Sequence, residues 1–113
     1  MDNTFEAVGD ELYNALPEGV ELRYTPVGTN LYSRLDHGGG DPEFLLVSPK
    51  KGFLGMSTVD YGNIVIHHDD NDQRKIASLD VYLNNTSRVD ELNAILGKFK
   101  KRYGLISKII IRR

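Results

Sequence analysis

At 113 residues, with 40% apolar and 27% charged side chains, the chain has the length of one ordinary domain and a globular composition, which indicates neither a disordered nor a fibrous protein overall. It contains no cysteine, so neither a disulfide framework nor a thiolate metal site is available. The net charge of −2 conceals a sorting by position: residues 1–73 carry 13 acidic and 4 basic side chains, a net of −9, whereas residues 74–113 carry 10 basic and 3 acidic, a net of +7.

The opening residues Met1 to Glu6 are acidic and lack the basic flank and apolar run of a signal peptide, and no stretch is apolar for long enough to cross a bilayer. The reading is of a soluble, cytoplasmic protein with residues 1–113 forming a single α+β domain. A first helix is expected from Asn3 as N-cap with Glu6 three residues on, because Phe5, Val8, Leu12 and Leu16 recur along one face until Pro17 and Gly19 stop it. Val20, Leu22 and Tyr24 then alternate with charged residues as a strand, followed by a weaker run at Leu31 to Leu35 that would pair with it.

Phe44 to Val47 is a continuous apolar run suited to a buried strand, closed by a turn at Pro49 to Gly52. Phe53 to Val59 and Ile64 to His68 read as strands flanking a tight hairpin at Asp60-Tyr61-Gly62-Asn63. Asp69 to Asp72 forms the next turn, before the alternation of Ala77, Leu79, Val81 and Leu83. Ser87 as N-cap, an apolar stripe through Val89, Leu92, Leu96, Phe99 and Tyr103, and Gly104 as a left-handed C-cap define a second helix. Leu105 to Ile111 follows as a strand with apolar residues on both faces. Strand, helix and strand in close succession allow a parallel crossover. The expected fold is an antiparallel-dominated sheet of about five to seven strands with a helix from each end packed on it, in the order α-β-β-β-β-β-β-α-β.

Three places hold residues with chemistry. Asp36 to Asp41 contains His37 followed by three glycines, a string that resembles the oxyanion-hole loop of lipases and esterases over four residues. That resemblance implies an anion cradle, but the Gly-x-Ser-x-Gly elbow is missing, and a surface connection is the reading adopted. His67 and His68, beside Asp69, Asp70 and Asp72, are candidate metal or acid/base groups, although neighbours on a strand face opposite ways. Calcium is disfavoured because Lys75 stands where the calcium loop wants glycine. The third place is the basic end: Lys98, Lys100, Lys101, Arg102, Lys108, Arg112 and Arg113 form a candidate polyanion site.

No catalytic set, cofactor or metal site is therefore assigned, and the chain is read as a protein-binding module of immunity, inhibitor or assembly-factor type rather than an enzyme. The partner would be a protein, a basic one if Asp69, Asp70 and Asp72 form the contact, with homodimerisation through the terminal strand as a further route. A nucleic-acid-binding domain using the basic helix and strand is the alternative. An enzyme built from His37, His67 and His68 is the third reading.

Overall fold

The computed structural model describes residues 2–25, 42–49 and 59–113. Its elements run α1 (Phe5–Ala15), β1 (Glu21–Thr25), β2 (Glu43–Val47), β3 (Asp60–His68), β4 (Ile76–Asn84), α2 (Val89–Tyr103) and β5 (Ile106–Arg112). The five strands form one mixed sheet in sequential order: β1 to β4 are antiparallel neighbours, and β5 lies parallel to β4 after the α2 crossover. The strand expected at Leu31 to Leu35 lies outside the described residues, and so does all but Val59 of the strand expected at Phe53 to Val59.

Strand alternation sorts the side chains cleanly. Tyr24, Phe44, Ile64, Val81 and Ile109 form one cross-strand row, Leu22, Leu46, Gly62, Leu83 and Ile111 a second, and Ile66, Leu79 and Ile106 a third. These rows meet Val8 and Leu12 of α1 and Leu92, Leu96 and Phe99 of α2 in a single apolar cluster, so both helices cover one face of the sheet. Leu12, Leu46, Ile64, Leu79, Leu83, Leu92 and Leu96 are all fully buried, and removing such groups from water is the main source of stability. Phe5 adds an aromatic corner, edge-on to Tyr24 at 4.7 Å and stacked on Phe44 at 5.5 Å.

Three local expectations are corrected. The Asp60 to Asn63 hairpin turn is instead the first part of β3, where the backbone of Gly62 (φ 141°) packs against β4 so closely that an added Cβ would stand 2.1 Å from the Tyr82 carbonyl oxygen. Thr4, not Asn3, caps α1, its hydroxyl accepting from the Ala7 amide; Asn3 is drawn away because it exchanges hydrogen bonds with Ile76. At α2 the N-cap position is Arg88 rather than Ser87, with no side-chain cap, and the entry is held by Arg88 donating to Glu91 and to the Glu18 carbonyl. Gly104 does close α2 in the left-handed conformation (φ 71°), as its position after the last apolar residue predicts.

Candidate functional site

The face of the sheet away from the helices carries Arg23, Leu45, Asn63, Tyr82 and Ile110 in one row and Thr25, Glu43, Val65, Asp80 and Lys108 in the next. It is a mixed surface with a connected polar network at the β5 side. Arg112 donates to the side-chain oxygens of Asn84 (3.1 Å) and Asn63 (2.7 Å), and Asn63 donates onward to Glu43 (2.8 Å). The Tyr82 ring lies between two cations, with the Lys108 ammonium 5.6 Å and the Arg112 guanidinium 5.0 Å from its centroid. Neither has a carboxylate within ion-pair distance among the described residues. Asp80, which stands opposite Lys108 in register, is bonded instead to His67 at 2.8 Å.

β5 is the last strand of the sheet, so among the described residues one of its two edges has no partner. Its helix-side residues Ile109 and Ile111 are half-buried against the core, while Ile110 on the other face is 41% exposed. Among the described residues, the terminal strand is therefore covered on one face and unpaired along one edge. An edge of this kind presents backbone donors and acceptors in a row, ready to pair with another extended chain.

The other sequence candidates fare differently. His37 and its glycines lie outside the described residues. His67 and His68 are separated by a register shift at the end of β3, and the buried Nδ1 of His68 has no hydrogen-bond partner. No group of three metal-ligating side chains converges among the described residues. In the acidic turn, Asp69 accepts from the Asn71 amide and Asp72 takes the Arg74 backbone amide and guanidinium, which holds the Asp72 carboxyl below its ordinary range. Two of the three acids are thus engaged in shaping their own turn.

The seven basic candidates do not form one patch. Lys98, Lys100, Lys101 and Arg102 belong to α2 in the helix layer, whereas Lys108 and Arg112 project from the opposite side of the sheet, with Arg113 after them. Lys98 and Arg102 border a cleft of about 360 Å³ between the helices, floored by Ile95 and Phe99. There Tyr103 donates to Glu11 at 2.8 Å, and this bond raises the phenol above its ordinary pKa. The sequence pattern does not single out Tyr82, Asn63 or Glu43; alternation along β4 is the signal for Tyr82, but its two cationic neighbours come from a strand that only the crossover brings alongside. Compared with protein-family models, curated proteins and solved structures, the chain matches none. No helix among the described residues is long and apolar enough to cross a membrane.

Proposed function

We propose that the protein is a cytoplasmic protein-binding module whose terminal strand β5 takes up an extended segment of a partner protein. The observation that carries this reading is the combination on β5 of an unpaired edge, among the described residues, with an exposed Ile110 between Lys108 and Arg112. A protein strand satisfies the amides and carbonyls of such an edge while covering its apolar side chains. The acidic turn offers less, because Asp69 and Asp72 are already used within it. An immunity, inhibitor or assembly role is the kind of task such a surface serves.

The nucleic-acid reading keeps one supporting observation, the Tyr82 ring flanked by Lys108 and Arg112. Bases stack on open aromatic faces, and here the ring is already occupied by the chain's own cations. Photo-crosslinking decides between these readings. A photoreactive phenylalanine analogue in place of Ile110, and separately in place of Asp70, is irradiated in native lysate. A protein adduct at position 110 and none at position 70 is the expected result; adducts only at position 70, or only to nucleic acid, would overturn the assignment of β5.

A further inference from the structure

We infer that the β5 edge selects an acidic extended segment, one with acidic side chains four residues apart and apolar residues between them. This rests on the strand-addition reading above and specifies its partner. Along β5, Lys108, Ile110 and Arg112 share one face and Ile109 and Ile111 the other. A strand added at the edge of β5 that has no partner among the described residues places residues on the same two faces, with directly opposed Cβ atoms roughly 5 Å apart. Opposite Lys108 and Arg112 the favourable partners are carboxylates; opposite the three isoleucines they are apolar side chains.

Among the described residues, the charges on β5 are uncommitted in the way this requires. The strand contains no acidic residue, and Arg113 adds a third positive charge just beyond it. Arg112 is bonded to neutral amide oxygens, Lys108 rests on an aromatic ring, and Asp80, the one carboxylate in register with Lys108, is held by His67. Incoming carboxylates would therefore add the first ion pairs at these two cations among the described residues.

The same arrangement disfavours the other occupants. A second copy of β5 set antiparallel about Ile110 would oppose Lys108 to Arg112 twice, a like-charge pairing that destabilises a sheet. A nucleic-acid strand supplies phosphates for the cations but no peptide groups to continue the hydrogen-bond ladder.

Amide-resolved NMR titration of the full chain with three synthetic nonapeptides tests the inference. The first carries two glutamates four apart around three valines, the second has the same composition with the glutamates three apart, so that they fall on opposite faces, and the third replaces the glutamates of the first by lysines. The first should shift the β5 amides and bind up to about fivefold tighter than the second, the scale of the one cross-strand charge pair that the second cannot make. The Lys108→Glu/Arg112→Glu variant should then prefer the lysine peptide, and the milder Lys108→Gln/Arg112→Gln pair should lose the preference without reversing it. Equal binding of all three peptides at β5 would overturn the acidic selection and leave strand addition standing. If none of them moves the β5 amides of the folded chain, the strand-addition reading fails and the selection with it. Shifts at β5 that grow with protein concentration alone would put a second copy in the partner's place, and shifts around Tyr82 with an oligothymidylate would put nucleic acid there.

Discussion

Among the described glycines, Gly62 leaves the least room for a side chain. It sits in the interior of β3, a place where glycine ordinarily weakens a strand, and its value lies in letting the β4 backbone come close. An added methyl group would meet the Tyr82 carbonyl oxygen at 2.1 Å and the Leu83 Cα at 2.9 Å, with the backbone at a φ of 141° that L side chains rarely adopt. Both neighbours belong to the main chain of a strand paired on either side, so neither can swing away. Gly62→Ala should destabilise by about 3 kcal/mol, combining overpacking with backbone strain. Chemical denaturation reads the effect as a lower midpoint; an unchanged midpoint would mean that the close approach of β3 to β4 is absent in solution.

At the scale of elements, α2 offers two glycines with opposite expectations. Gly97 lies within the helix and an added Cβ would find nothing within 4 Å, so Gly97→Ala should stabilise by roughly 0.5 to 1 kcal/mol through the better helix propensity of alanine. Gly104 is equally uncrowded but holds φ at 71°, and Gly104→Ala should cost about 1 kcal/mol because the left-handed conformation penalises a Cβ. The two variants should move the thermal unfolding midpoint in opposite directions. This helix is also the most legible element, since Val89, Leu92, Leu96 and Phe99 lie at helical spacing and are all buried. Its entry is less legible, because Thr86 and Arg88 form the local bonds expected of Ser87. Likewise, a glycine flanked by polar residues signals a tight turn or a close backbone approach, and only the register with β4 tells them apart. The edge position of β5 is not legible at all: a triple isoleucine reads equally as a central strand or as an interface, and which it is depends on strand order.

Across the whole molecule, strand order leaves the one cationic strand of the described sheet at its limit: β5 carries Lys108 and Arg112 and no acid, whereas β1 is neutral and β2, β3 and β4 each carry a single net negative charge. β1 to β3 come from the acidic part of the sequence, and β4, α2 and β5 from the basic part, with β5 at the outer limit. The cations there have a consequence that needs no partner: charges on an edge strand keep it from pairing indiscriminately. Removing both, in Lys108→Ala/Arg112→Ala, should leave the core intact and promote concentration-dependent self-association, measurable by sedimentation velocity; a variant as monodisperse as the parent chain would show that the charges do not guard the edge. The contacts that tie the start of the chain to β4 have a different consequence. Asn3 exchanges hydrogen bonds with Ile76, Thr4 bridges to Lys75, and Phe5 donates to the Arg74 carbonyl. The start of α1 thus leaves the ribosome well ahead of its anchor at Ile76, which is made 73 residues after Asn3, an interval of roughly 4 to 15 s at ordinary translation speeds. Until then Val8 and Leu12 lack the β4 and α2 residues of their cluster, and a chain stalled before Arg74 would present that apolar face to chaperones.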